Sequence, residues 1–126
     1  MHNIIALSVA GLVAAAIIAI GAFYLVFPQW ILGGFGLKPP ASDADTLAWL
    51  RLKGIRDIAS GLAVFTMMLA ADSRMVGITV LVFAIIPFGD MSVVLASSGS
   101  RSKTLSIHGV TCVVMLVAGL SLIHAI

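Results

Sequence analysis

The chain contains no glutamate, a single cysteine and few charges of either sign, with charged residues making up only 10% of its 126 positions. A soluble domain carries about 25% charged residues. Hydrophobic residues reach 61%, more apolar surface than one small water-soluble core can bury, so the composition is that of a membrane protein. The lone Cys112 excludes an internal disulfide and a multi-thiolate metal centre. It lies in an apolar run and reads as a small buried hydrophobe. A net charge of +2 provides no basic field for nucleic acid, and the lipid bilayer is the expected surrounding. Nucleophilic triads, P-loops and zinc motifs are absent, and no cofactor is implied.

Basic residues are also missing from Met1-His2-Asn3, and the apolar run at 4–27 is too long for the core of a secretory signal. A retained first span is expected there, since about 20 apolar residues cross the ~30 Å hydrocarbon layer. Gly11, Ala15 and Ala19 recur four apart and offer another helix a close approach. Tyr24 and Trp30 stand where interfacial aromatics are found.

The connection that follows is apolar but rich in glycine, Gly33-Gly34-Phe35-Gly36, and reads as an interfacial dip or a cap. It is no dinucleotide fingerprint, because no strand precedes it. Ser42-Asp43-Ala44-Asp45 has the form of a helix start, with acids at the positive helix end. The second span is expected over 43–71. Its uncharged part, 58–71, has 14 residues, or roughly 21 Å at 1.5 Å each. The shortfall of ~9 Å reaches back about six residues, to Leu52. Lys53, Arg56 and Asp57 therefore fall inside the apolar layer, and Trp49, Lys53, Arg56, Asp57 and Ser60 share one broad face.

A third span is expected over 75–97, bent where Pro87 denies a hydrogen bond to the Phe83 carbonyl. Asp90 lies beside that bend. A fourth, over 104–126, carries Thr104, His108, Thr111 and Cys112 on one face. Together these predict an all-α four-helix transmembrane bundle of antiparallel up-down topology, forming one domain over 1–126. Lys38, Arg51, Lys53, Arg101 and Lys103 lie on one side and only Arg74 on the other. Basic loops stay cytoplasmic, which puts both termini on the non-cytoplasmic side.

Arg56 lies ~6 Å past the Leu52 boundary, Asp90 ~10 Å from the end of its span and His108 ~6 Å into its own. All are in the cytoplasmic half, and ionisable groups within a span usually face a partner, a cavity or a substrate path. A shared pocket follows. Asp57, Asp90 and His108 are its candidate acid–base groups, because a carboxyl and an imidazole can exchange protons near neutrality. Arg56, Lys53, Tyr24, Trp49 and Ser60 are candidate substrate contacts, with Arg56 orienting an oxygen function. No metal site is expected, since the acids and histidine come from separate helices with no ligand spacing.

Gly54-Ile55-Arg56-Asp57 after a basic entry, Ile86-Pro87-Phe88-Gly89-Asp90 in the third span and a histidine early in the fourth resemble a family of small four-span membrane proteins. That family is catalogued as domain of unknown function 4267. The resemblance covers nearly the whole chain and implies the four-helix architecture, but it supplies no reaction. Small multidrug transporters share the length and span number, yet depend on a glutamate in the first span, which this chain lacks. The residues leave three function classes open. One is an acid–base enzyme or binder for a lipophilic small molecule entering from the bilayer, with isomerisation, ring opening or hydrolysis as its chemistry. The second is a proton-coupled transporter or channel subunit, which would need a homo-oligomer and a polar path across the membrane. The third is a structural protein in which Arg56 and Asp90 form a buried clamp.

Overall fold

A computed structural model describes residues 2–124. The end of the fourth expected span, 125–126, lies outside the described residues. The chain is all-α. Helix α1 (His2–Val26) is followed by a single turn, α2 (Pro28–Ile31), and a 3-10 turn over Leu32–Gly34. Pro28 opens α2 at a position whose N–H has no intrahelical partner anyway. The long α3 (Ala44–Ala70) comes next, then α4 (Ser73–Phe83) and α5 (Ile85–Ala96). Finally α6 (Arg101–Thr104), a π-helical turn over Leu105–Gly109 and α7 (Val110–Leu122) follow without interruption.

Among the described residues, three stretches are long and apolar enough to cross a membrane: Asn3–Val26, Ser73–Ala96 and Arg101–Leu122. α3 has 27 residues but is not one of them, because Arg51, Lys53, Arg56 and Asp57 interrupt its first half. The protein is thus a multi-helix integral membrane protein with three apolar spans and a fourth, amphipathic long helix, where four comparable spans were expected. Large apolar side chains cover its exterior, as a lipid-facing surface requires: Leu69 is 91% exposed and Leu12 71%.

Local chemistry explains the ends. Asp43, not Ser42, caps α3. Its carboxylate accepts from the Thr46 backbone N–H at 3.0 Å and the Thr46 hydroxyl at 2.7 Å. These bonds hold the Asp43 carboxyl below its ordinary range. A lowered folded-state value contributes stability above the unfolded-state value and loses it as pH falls through the folded one. Asp43→Ala is therefore expected to speed amide exchange in the first turn of α3 near neutral pH, and to converge with wild type once the carboxyl is protonated. Asp72 caps α4 in the same way, through the Met75 N–H at 2.9 Å.

The bend expected from Pro87 falls at Ala84, between α4 and α5. The Cys112 thiol points at the Ala84 carbonyl, 3.7 Å away, so the buried cysteine sits against the bend.

α1 and α3 run antiparallel in close contact. A Cβ on Gly21 would lie 2.6 Å from the Gly54 carbonyl oxygen, and a Cβ on Gly54 would lie 2.6 Å from that of Gly21. Two turns along the interface, a Cβ on Gly61 would lie 2.6 Å from the Ala14 carbonyl. Gly54 and Gly61 are thus contact residues. The buried small-residue row on α1 is not Gly11/Ala15/Ala19, since Ala15 and Ala19 are exposed. It is Ala6, Ala10 and Ala14, of which Ala14 meets Gly61. Both alanine rows have the same four-residue spacing, so spacing could not choose between them. The core joins this row to Val64 of α3, Val76 and Val80 of α4, and Met115 and Leu122 of α7.

Candidate functional site

Asp57 is buried on the inner face of α3, at 5% exposure. Its partner is Lys53, one helical turn earlier, with Nζ 2.7 Å from Oδ2. The Lys53 ammonium also lies over the Tyr24 ring, 4.8 Å from its centroid, and 5.6 Å from that of Phe35. A cation over an aromatic face is attracted by the ring quadrupole. Tyr24 is buried beneath Lys53, so it is no interfacial anchor. That place is taken by an exposed row, Phe23, Phe27 and Trp30, with Phe27 and Trp30 centroids 5.4 Å apart.

Arg56 does not join the cluster. It is exposed, and no ion pair to Asp57 or Asp90 forms. One residue is a rotation of about 100° on a helix, which turns Arg56 outward when Asp57 faces in. Trp49, 69% exposed, is outside as well. The expected Arg56–Asp90 clamp is therefore replaced by two other pairs.

The second pair is His108 and Asp90, with Nδ1 and Oδ2 3.8 Å apart. His108 is buried and lies in the π turn. Such turns insert a residue and often occur at functional positions. Its other nitrogen, Nε2, lies 3.1 Å from the Phe35 carbonyl oxygen. A carbonyl only accepts, so Nε2 must carry a proton. Nδ1 of His108 is thereby left turned toward the Asp90 carboxyl, 3.8 Å away.

Phe35 is the residue that the sequence did not mark. Its carbonyl fixes the His108 tautomer, and its ring lies edge-on to the imidazole at 4.7 Å. The glycine-rich connection carrying it is tied down by Lys103 Nζ donating to the Gly33 carbonyl at 2.7 Å. The Ser100 N–H donates to that of Gly36 at 2.8 Å. Gly36, at φ 101°, supplies the left-handed backbone this turn needs. The connection is a cap over the polar residues. The only advance signal was its run of glycines around one aromatic.

A cavity of about 180 Å³ lies among α1, α3, α4, α5 and α7. Asp57, Ser60, Asp90 and Thr111 line one end, and Ala10, Val64, Val80, Phe83 and Ala118 the other. Pro87 also lines it, so the bend shapes the wall. Ser60 donates to the Asp57 carbonyl at 2.8 Å. Among the described residues no three His, Cys, Asp or Glu side chains converge on a common point as metal ligands.

The profile of the family described as domain of unknown function DUF4267 matches residues 14–122, and the chain belongs to that family. No curated protein and no solved structure matches it.

Proposed function

We propose that this protein holds a small lipophilic molecule in the cavity and exchanges a proton with it through Asp90, with His108 behind it as the proton reservoir. The observation that carries this reading is the division of the cavity wall, apolar over most of its length and acidic at one end. Ligand sites combine apolar lining with a few convergent polar groups. Asp90 reaches the cavity and His108 does not, so Asp90 would meet the ligand and His108 would set its protonation. Lys53–Asp57 would be a positioning element that fixes the second carboxyl at the polar end. Proton exchange of this kind suits isomerisation, ring opening or hydrolysis.

In this reading α3 makes a fourth crossing, since it lies along α1 from Gly54 to Gly61. The bundle is then up-down, and the excess of basic residues near Lys53 puts the acidic end on the cytoplasmic side. The ligand would enter laterally from the bilayer, past Ala16 and Ile20, which are exposed yet line the cavity.

The test is organic extraction and mass spectrometry of protein purified in a mild detergent. Wild type and Asp90→Asn should carry a lipophilic compound that Val64→Phe, with the cavity filled, does not. Identical extracts from all three would remove the support for a ligand site.

A further inference from the structure

The reading above leaves the polar head of the ligand unspecified. A count of donors and acceptors at the acidic end narrows it, and the result rests on that reading.

Four polar side chains reach the cavity. The Ser60 hydroxyl has one proton and donates it to the Asp57 carbonyl. The Thr111 hydroxyl likewise donates to the Ile107 carbonyl at 2.7 Å. Both hydroxyls therefore offer only lone pairs to a ligand. Asp57, ion-paired with Lys53, offers its remaining lone pairs as acceptors. Asp90 adds a second carboxyl, with Oδ2 turned toward His108 Nδ1 at 3.8 Å. The lining contains no lysine, arginine, asparagine, glutamine or tryptophan. Lys53 is turned toward Asp57 and the aromatic rings, and Arg56 is outside. Among the described residues the cavity wall thus presents acceptors in excess, with no cationic or amide donor.

We infer that the ligand is a small amphiphile whose head donates hydrogen bonds, an alcohol or an amine, and not a carboxylate, phosphate or ketone. This reverses the sign that an inward Arg56 would have set. A donor left facing no acceptor, or an acceptor facing acceptors, costs its full desolvation, so the mismatch discriminates strongly. The size follows from the volume. A cavity of about 150 Å³ in another protein holds benzene, so 180 Å³ holds one ring with a short polar arm. From an ammonium head, a proton leaving the N–H would pass to the Asp90 carboxylate and on to neutral His108 Nδ1, leaving a neutral amine beside imidazolium and carboxylate.

The test uses four probes of similar shape: toluene, benzyl alcohol, benzylamine and benzoate. Each is titrated calorimetrically into the detergent-solubilised protein, with Val64→Phe as the blank for partition into micelles. Ala16→Phe, at the exposed side of the same wall, serves as blank if Val64→Phe lowers the melting temperature. Benzylamine is expected to bind at least about tenfold more tightly than toluene, with benzyl alcohol between them and no binding of benzoate. Asp90→Asn should bring benzylamine and toluene to within about threefold of each other. Toluene or benzoate binding as well as benzylamine, and lost in the blank, would leave the cavity as a ligand site but overturn the donor assignment. If no probe separates wild type from the blank, the ligand site itself falls and this inference with it.

Discussion

Lys53→Met is expected to destabilise the protein by about 3 kcal/mol or more, at the lower end of the ~3–5 kcal/mol seen when one partner of a buried pair is removed. Asp57 is buried and Lys53 is its ion-pair partner. Removing the ammonium leaves a buried carboxyl beside Tyr24 and the apolar cavity wall. Lys53 is part-exposed, which keeps the cost from the upper end. The double variant Lys53→Met/Asp57→Leu should recover most of the loss, because exchanging a buried pair for packed apolar groups is often neutral or better. Arg56→Met, on the outer face, should stay within about 0.5 kcal/mol of wild type. Unfolding by denaturing detergent, followed by circular dichroism, measures all three. Equal stability of Lys53→Met and Arg56→Met would show that the pair does not hold α3 in register.

Gly54→Ala should cost about 1–3 kcal/mol, the range for inserting atoms into a packed contact, although alanine is the better helix former by about 1 kcal/mol. The new Cβ would meet the Gly21 carbonyl at 2.6 Å and the Tyr24 Cβ at 2.8 Å. The first of these is backbone and cannot rotate aside, so α1 and α3 must move apart. Helices in lipid are held largely by close packing and interhelical bonds, since lipid is as apolar as the side chains it would replace. Separation also shifts Tyr24 from beneath Lys53. Gly21→Ala should have a similar effect, and the two should be non-additive because they share one contact. Gly33→Ala is the control, with no atom within 4 Å of the added carbon. A Gly54→Ala protein more stable than wild type would mean that the interface yields easily, and the glycine would then need another explanation.

The membrane setting, the helices and the cluster of polar groups at one end were all legible in the chain. They follow from composition, from run length against bilayer thickness, and from the cost of placing charge in lipid. So was the bend near Pro87, because proline removes a hydrogen bond wherever it sits in a helix. The candidate residues Asp57, Asp90, His108 and Ser60 were marked by the rarity of polar side chains in such runs. Lys53 is in the cluster too, paired with Asp57 four residues on as helical spacing allows, and Tyr24 lies beneath it in a role that the sequence did not assign.

Helix rotation decided the rest. Arg56 and Asp57 are neighbours of equal polarity in the sequence, and only packing against α1 through Gly54 and Gly61 turned one inward and the other out. The same rotation selected Ala6, Ala10 and Ala14 over the equally spaced row beside them. The sign of the cavity could not be foreseen, because it depends on where hydroxyl protons go and on which nitrogen of His108 faces Phe35. Local sequence dictates what each segment can tolerate. Which side chains meet is set by contacts between residues far apart in the chain, such as Phe35 with His108, and these exist only once the helices have packed.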